Sequence, residues 1–402
     1  MKFLKSRIFL LLLCLIFVFF FSNDFGIISV EKTAIVVALG IDREDDEYLA
    51  TVQVSVPQAS TETTENTKAI ISGTGKTIAG ALNKIANETG WYLKLSFCNL
   101  IIIGESMFSS NINDALDYCA KSLKITYSAI MAAADGKANE LLEVASPLDK
   151  ISSFALQKVL LEEHSSAVNV TYVDVNTFTK GYYSECGVSF LPLIKMISPK
   201  DDKEDNSVKP QASKQDSGSG SEQEQQDKNA KSFDATTTLI FKKGNLIGSM
   251  EEMETFVFNM LKKSAEKSYY PVDEVEIQGE KVDFLLNILG NKYNRTLKVV
   301  NETPTVTFTE KVHVVVEDHD TSIPSIALGD QGVTPEEVLR KAEKDFSQTA
   351  NDLFNKAKEL NADIFDLIKD LYRYNYDYYG KFKDNLYRHL KMDIKVEFIG
   401  QK

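Results

Sequence analysis

Apolar and polar positions along the first part of the chain predict a pair of strands. The apolar, β-branched segment Thr33–Ile41 is typical of a strand buried on both faces. An acidic turn is predicted over Asp42–Glu47. The near alternation over Tyr48–Val56 then predicts a half-buried strand, with Thr51 and Gln53 on its polar face. We expect the two strands to form a hairpin.

Helical and strand patterns intermix from there to Ile197. The predicted helices are Thr77–Thr89, Ile112–Leu123 and Asn139–Val144, and the predicted strands are Ser96–Ile103 and Tyr127–Ala134. Strands and helices that intermix along one chain indicate an α/β or α+β region. We assign residues 30–197 to such an N-terminal region, made of one or two domains.

Residues 198–232 interrupt the pattern. They are rich in Asp, Glu, Lys, Gln, Ser and Gly, with Val208 as the one large aliphatic residue. A segment of this kind buries too little apolar surface to offset the entropy lost on ordering. We predict a disordered polar linker, and composition leaves open whether it joins two domains or is an insertion.

The pattern resumes in residues 233–402, which we assign to a C-terminal α+β domain. A hairpin is predicted around Lys242-Lys243-Gly244-Asn245, followed by an amphipathic segment. Further strands are expected over Val282–Leu289, Thr296–Val300 and Val306–Glu317. The alternating segment Ile394–Phe398 predicts a closing strand.

A long helix is predicted from Pro335. Thr334 is suited to cap it, Pro335 suits its first turn, and Glu337 completes a capping box. One apolar stripe runs along the predicted helix, made of Val338, Ala342, Phe346, Ala350, Leu353, Phe354, Ala357 and Leu360.

The N-terminus has the pattern of a signal peptide or membrane anchor. Basic residues precede the apolar run Ile8–Phe21, and Ser22, Asn23 and Asp24 follow it. Fourteen helical residues rise about 21 Å, against a hydrocarbon core of roughly 30 Å. Because no small-x-small cleavage site follows, we predict that residues 1–24 are an uncleaved anchor with the rest of the chain outside the membrane.

Cys14 raises the alternative of lipidation. An acylated cysteine requires a small residue just before it, whereas Leu12 and Leu13 precede Cys14. We therefore interpret Cys14 as an ordinary apolar residue of the helix. Beyond the anchor, Cys98, Cys119 and Cys186 are too few and too irregularly spaced to predict a disulfide framework.

Length and charge restrict the classes of protein that remain. A chain of 402 residues exceeds one typical core, so two to three domains are expected after the anchor. The net charge of −13 argues against nucleic-acid binding, which needs a basic surface.

The sequence contains no motif that predicts catalysis, a cofactor or a metal site. Gly73–Thr77 resembles a phosphate-binding loop, but that loop requires glycine at the position of Ile70. A glycine turn before a helix fits better. The four histidines lack metal-ligand spacing, and we interpret His313 and His319 as belonging to a solvated strand end.

A tyrosine-rich run near the C-terminus is a candidate recognition surface. Tyrosine is enriched at interfaces because its ring is apolar and its hydroxyl is polar. The alternative is packing between helix and sheet, which we favour for Tyr372 and Phe382 and leave open for the others, Tyr374, Tyr376, Tyr378 and Tyr379.

Several of these segments together resemble the Ger(x)C family, the C subunits of bacterial spore nutrient-germinant receptors. The resemblance is carried by AIVVALGID at Ala34–Asp42, by Gly75-Lys76-Thr77 before a helix, by the strand that ends in Gly104-Glu105, and by Leu360–Phe365. The order of the motifs is kept over nearly the whole chain.

The resemblance implies an α+β, multidomain, non-enzymatic protein on the outer face of the spore inner membrane. It also implies A and B receptor subunits as partners, the B subunit spanning the membrane several times. Family members are usually lipoproteins, but Ser22–Gly26 stands here where they have an acylated cysteine. The alternative functions are an envelope-anchored small-molecule-binding protein and, third, an envelope hydrolase.

Overall fold

The computed structural model contains two β-sheets packed against helices. It describes residues 10–17, 32–55, 68–108, 112–121, 124–144, 146, 149, 151–161, 168–197, 231–265, 268–277, 279–320 and 334–400. Residues 10–17 form helix α1, and the rest of the predicted anchor lies outside these ranges. Within the described ranges, no helix has the length and apolar character needed to cross a membrane.

The first sheet is mixed, with a parallel centre and antiparallel edges. Its strand order is β3-β2-β1-β5-β6-β7-β8-β9, and short β4 also pairs with β1. The strands are β1 (Thr33–Glu44), β2 (Glu47–Ser55), β3 (Lys68–Gly75), β4 (Tyr92–Lys94), β5 (Leu100–Ile103), β6 (Ile130–Ala134), β7 (Val188–Ile197), β8 (Ser232–Lys242) and β9 (Asn245–Met250). The predicted hairpin of β1 and β2 is confirmed.

Helices cover both faces of this sheet. They are α2 (Ile78–Thr89), α3 (Asn113–Lys121), α4 (Ala138–Glu143), α5 (Ser152–Leu160) and α6 (Val175–Tyr182). Buried residues of α2, α3 and α6 form the core on one face. Those of α4 and α5 form the core on the other.

The double coverage corrects two expectations. Strand β2 was expected to be half-buried, yet both of its faces are buried because α4 and the start of α5 cover the polar one. There, Gln53 Nε2 donates to Ser152 Oγ at 2.9 Å and Gln53 Oε1 accepts from Ser153 N at 3.0 Å. Asp42 lies inside β1 and is buried, so the acidic turn is reduced to Asp45 and Asp46.

The second sheet has the order β10-β11-β12-β13, with β13 parallel to β12. Its strands are β10 (Ser268–Ile277), β11 (Glu280–Val300), β12 (Thr303–His319) and β13 (Lys391–Gly400). The associated helices are α7 (Glu252–Met260), α8 (Glu336–Glu359), α9 (Leu367–Tyr374), α10 (Tyr376–Phe382) and α11 (Leu386–His389). The two strands predicted over 282–300 are one strand, because its polar middle still pairs with β12.

Helix α8 has the predicted apolar stripe but a different N-terminus. All seven residues of the stripe from Val338 to Ala357 are buried. The N-cap is Pro335, whereas Thr334 is buried and its Oγ1 has no hydrogen-bond partner among the described residues. Thr334 packs against Gly400 of β13, and this contact replaces the predicted cap.

The α+β class, with mixed sheets packed against helices, is confirmed. Strands β7 and β8 pair up to Ile197 and Ser232, so the polar segment connects two neighbouring strands of the first sheet. Residues 198–230 lie outside the described ranges, and the domain boundaries drawn from the sequence stay a prediction. Val188 and Ile240 of the first sheet belong to the same core as the second sheet.

Candidate functional site

A polar cleft lies where the elements of the two sheets meet. Two cavities, of about 770 and 500 Å³, share Lys262 and Asp366 in their walls. The loop from Leu360 to Asp366, between α8 and α9, runs along the cleft. Its backbone takes left-handed conformations at Asn361 (φ 47°) and Asp366 (φ 56°), which turn the chain sharply between the two helices.

Asp363 organises this loop from a buried position. Its Oδ1 accepts hydrogen bonds from Leu367 N at 2.7 Å and Tyr387 Oη at 2.9 Å. Its Oδ2 accepts from Ile368 N at 2.8 Å and from Cys186 Sγ at 3.3 Å. The carboxylate therefore holds the first turn of α9 and joins it to the loop before β7.

The buried surroundings of Asp363 raise the pKa values of both its own carboxyl group and the Cys186 thiol. Burial raises the pKa of Asp363, although the backbone N–H groups of Ile368 and Leu367 oppose this. Burial and the neighbouring Asp363 carboxylate raise the pKa of the Cys186 thiol. A thiol with a raised pKa stays protonated and serves as a donor rather than a nucleophile.

Lys262 lies at the point that the two cavities share. Its ammonium is 5.1 Å from the ring centre of Phe190, in β7, and 4.6 Å from that of Phe258, in α7. Nζ is 3.6 Å from Asp366 Oδ2. Burial lowers the pKa of Lys262, and Asp366 partly offsets this.

The wall of the larger cavity is fixed by Arg295 of β11. Its Nη2 is 2.7 Å from Asp370 Oδ2 of α9, and its Nη1 donates to the carbonyl of Phe365. Both side chains of this ion pair are largely buried. The second sheet is thereby tied to the loop that Asp363 organises.

Tyr372 and Tyr374 of α9 line the cleft, and tyrosines of α10 pack beside them to form a tyrosine rim. Tyr372, Tyr374 and Tyr376 are 54%, 73% and 65% exposed. The ring of Tyr372 lies 5.4 Å from that of Tyr376 and 5.1 Å from that of Tyr379. Tyr379 Oη donates to Glu185, which precedes β7.

These positions answer the question of packing that the sequence left partly open. Phe382 is buried, as expected. The expectation for Tyr372 was wrong, because its ring contacts other tyrosines at the surface instead of a sheet. Tyr378 stacks on Phe382 and is half-buried.

The motif AIVVALGID has a structural role that the sequence did not assign. Asp42 accepts hydrogen bonds from Ala138 N at 2.8 Å and Asn139 N at 3.2 Å, at the start of α4. A Cβ atom at Gly104 would lie 1.8 Å from Asp42 Oδ1. Gly104, in the motif that ends in Gly104-Glu105, is thus required by Asp42, the last residue of AIVVALGID.

The glycines before α2 also support the fold rather than a phosphate. Thr77 caps α2 by accepting from Gly80 N at 3.0 Å. Gly73 and Gly75 lie in β3, where a Cβ atom would meet α2 within 2.8 Å. They allow close approach of the helix, instead of forming the expected turn.

Of the remaining candidate residues, only Cys186 belongs to the cleft. Cys98 and Cys119 are buried, Cys186 is half-buried, and Cys14 is exposed in α1 with a free thiol. His313 and His319 lie on β12, and the His319 ring meets Phe284 at 5.8 Å. Within the described part of the chain, no group of three His, Cys, Asp or Glu side chains is placed to hold a metal ion.

The fold and the cleft define a two-sheet α+β protein with an aromatic-rimmed surface. Residues 27–196 match the family described as "Spore germination protein N-terminal domain". Residues 236–399 match "Spore germination B3/ GerAC like, C-terminal". The chain belongs to the Ger(x)C family of spore germination proteins, the C subunits of germinant receptors.

A solved structure has a similar fold. The crystal structure of the GerBC protein aligns with a TM-score of 0.50 and 16% sequence identity, over 91% of this chain and 97% of that one. No curated protein matches the sequence. The family is one of receptor subunits and is not a known enzyme family.

Sequence reasoning missed the residues that build the cleft. Lys262 and Cys186 stand in no motif, and nothing in the sequence pairs either with Asp363. The signal that existed was the family motif Leu360–Phe365, which contains Asp363 but does not reveal its partners.

Proposed function

We propose that this protein is a non-enzymatic C subunit of a spore nutrient-germinant receptor and acts by contact with the A and B subunits. It is held on the outer face of the spore inner membrane by its N-terminal segment. The tyrosine-rimmed cleft is the observation that carries the proposal. Membership of a receptor-subunit family implies association with a receptor complex.

The tyrosine rim has the chemistry of a protein interface. Tyrosine offers a large apolar ring and a polar hydroxyl while losing little conformational freedom. The rings of Tyr372, Tyr376 and Tyr379 already pack on one another. A surface ordered in this way loses less entropy when a partner binds, which favours affinity.

The environments of two buried carboxylates, Asp42 and Asp363, support a non-enzymatic role. Both oxygens of Asp42 and both of Asp363 accept hydrogen bonds, mainly from the backbone. A general acid or base must reach a substrate proton. These carboxylates instead hold helix starts.

The test is co-purification from spore membranes. Replacing Tyr374 and Tyr376 together by serine should reduce recovery of the A and B subunits by about tenfold or more, since interface tyrosines are frequent hot spots. The nutrient germination response should fall in parallel. Tyr269→Ser, an exposed tyrosine of β10, is the matched control. Unchanged recovery of the A and B subunits with the double variant would show that the tyrosine rim is not the contact surface.

The mode of anchoring has a separate test. Mass spectrometry of the native N-terminus should find the basic residues Lys2, Lys5 and Arg7 intact. An acylated Cys14 at the mature N-terminus would contradict the helical anchor while leaving membrane attachment in place.

A second candidate function is small-molecule binding at the envelope, and the smaller cavity favours it. Ser189 lines this cavity and is buried, and its Oγ has no hydrogen-bond partner among the described residues. Lys262 lies in the same wall. Isothermal titration of the purified chain with nutrient germinants, repeated with Ser189→Ala, separates this function from the first.

A further inference from the structure

Four exposed aromatic side chains lie at or shortly before the starts of β4, β5 and β6 in the first sheet. Trp91, Tyr92, Phe97 and Tyr127 are 45%, 42%, 50% and 54% exposed. We name this set the aromatic edge. Trp91 is the only tryptophan in the chain.

Strand register brings these residues to one edge. Tyr92 pairs with Thr33, the first residue of β1. Further along, Leu100 of β5 pairs with Ala38 of β1 and with Ile130 of β6, and all three strands are parallel. Phe97 ends a short 3-10 turn and Tyr127 lies in a turn, each three residues before one of these paired positions, so both lie near the amino-terminal ends of adjacent strands.

The same edge receives the chain from the apolar N-terminal segment. Residues 22–32 separate Phe21 from Thr33. Eleven residues span at most about 40 Å when fully extended. If Phe21 lies at the membrane surface, as the proposed anchoring requires, the start of β1 and its neighbour Tyr92 stay within about 40 Å of that surface.

The side chains of the aromatic edge suit the headgroup region of a bilayer. Tryptophan and tyrosine are enriched there because one end of each ring system is apolar and the other is polar. Lys94 lies over the ring of Phe97, with Nζ 5.3 Å from the ring centre, and Lys32 is exposed beside Thr33. These cations complement anionic lipid headgroups, although the whole chain carries a net charge of −13.

We infer that the aromatic edge rests on the lipid surface and sets the orientation of the body on the membrane. This rests on the proposed membrane anchoring and adds which face of the fold meets the lipid. The opposite ends of β1, β5 and β6 then point away from the bilayer. A partner protein on this edge is the competing interpretation, and the test distinguishes the two.

The single tryptophan provides the experiment. The full chain is reconstituted into vesicles of phosphatidylglycerol and phosphatidylcholine, and flotation is measured first. Trp91 emission should shift to shorter wavelength and be quenched severalfold more by lipids brominated near the headgroup than by aqueous iodide. Phe97→Ser with Tyr127→Ser should weaken the lipid quenching without preventing flotation.

A displaced reporter is the control. In a Trp91→Phe background, Tyr269→Trp places the tryptophan on the second sheet, where iodide should quench it and brominated lipid should not. If the chain floats but iodide quenches Trp91, the proposed orientation of the aromatic edge towards the lipid is wrong, while the proposed membrane anchoring stands. Failure to float would overturn both, and protection of Trp91 only on adding the A and B subunits would assign the edge to a protein partner. Equal lipid quenching of both reporters would also contradict the inference.

Discussion

Asp42 and Gly104 show how two distant positions depend on each other. The buried carboxylate holds the start of α4, and the missing side chain of Gly104 leaves room for it. The sequence alone does not show why either residue is needed. Position 104 requires glycine because the Asp42 Oδ1 atom occupies the space that a side chain would fill.

A double-mutant cycle tests this dependence. Asp42→Ala should lower the free energy of unfolding by about 2 kcal/mol, because two backbone N–H groups lose their acceptor. Gly104→Ala should cost about 3 kcal/mol by overpacking. In the Asp42→Ala background the second change should cost much less. Denaturant unfolding measures all four chains, and strict additivity would contradict the coupling.

Glu310 is a buried carboxyl group in the second sheet. It accepts a hydrogen bond from Asn291, while its other oxygen has no partner among the described residues. Burial raises its pKa from 4.5 to about 8. The folded state therefore keeps this proton over a range of pH in which the unfolded chain releases it.

The sign of the pH dependence follows from this difference. The contribution of Glu310 to stability is fully present below pH 4.5 and is lost as pH rises towards about 8, at up to about 1.4 kcal/mol per pH unit. Glu310→Gln should remove this slope and make the protein more stable than the wild type above pH 8. Melting temperatures from pH 5 to 9 measure it. Glu280→Gln, an exposed control in the same sheet, should keep the wild-type dependence of stability on pH. If Glu310→Gln keeps it too, Glu310 is not the source of this dependence.

At the scale of elements, the glycines of β3 determine how closely α2 approaches the sheet. A Cβ atom at Gly73 would lie 2.7 Å from Ile85 Cγ1 and 2.8 Å from the carbonyl oxygen of Ala81. Gly290 in β11 is a matched contrast, because a Cβ atom there meets nothing within 4 Å.

The two glycines should respond oppositely to alanine. Gly73→Ala should destabilise the fold by about 1–3 kcal/mol, because the helix must move or the side chains must repack. Gly290→Ala should be neutral or stabilising by about 0.5–1 kcal/mol, since alanine loses less entropy than glycine in a strand. Thermal unfolding of both variants is the measurement. Equal losses would show that helix approach is not the cause.

The elements also show which parts of the fold could be predicted. The stripe of α8 and the closing strand follow from local periodicity, so the sequence predicted both correctly. The cap of α8 and the polar face of β2 depend on what packs against them. Thr334 meets Gly400, and Gln53 meets Ser152, in each case across a long distance in sequence. Local patterns do not contain such contacts.

At the scale of the whole molecule, the cleft could not have been predicted. Cys186, Lys262 and Asp363 come from three separate segments and meet only because the second sheet packs against the end of the first. The aromatic character of its rim was visible in the sequence, and its exposure was not. The sequence of a tyrosine-rich helix does not show whether its rings pack against a sheet or face solvent.

Because β7 pairs with β8, shortening the segment that connects them should change the stability of the protein in a predictable way. Ile197 and Ser232 face each other in an antiparallel pair, and the two family matches stop at residue 196 and resume at residue 236. Replacing residues 198–231 by a four-residue turn shortens the connection by about three halvings. Each halving lowers the cost of loop closure by about 0.6 kcal/mol, so the shortened chain should be about 2 kcal/mol more stable.

Urea unfolding of the two chains measures this gain, and co-purification of the A and B subunits shows whether binding is kept. If the segment only connects paired strands, stability rises and recovery of the partners is unchanged. A stable chain that no longer recovers its partners would place part of the receptor contact in residues 198–231. Loss of folding would contradict the argument outright, because strands that pair as β7 and β8 do need only a short turn between them.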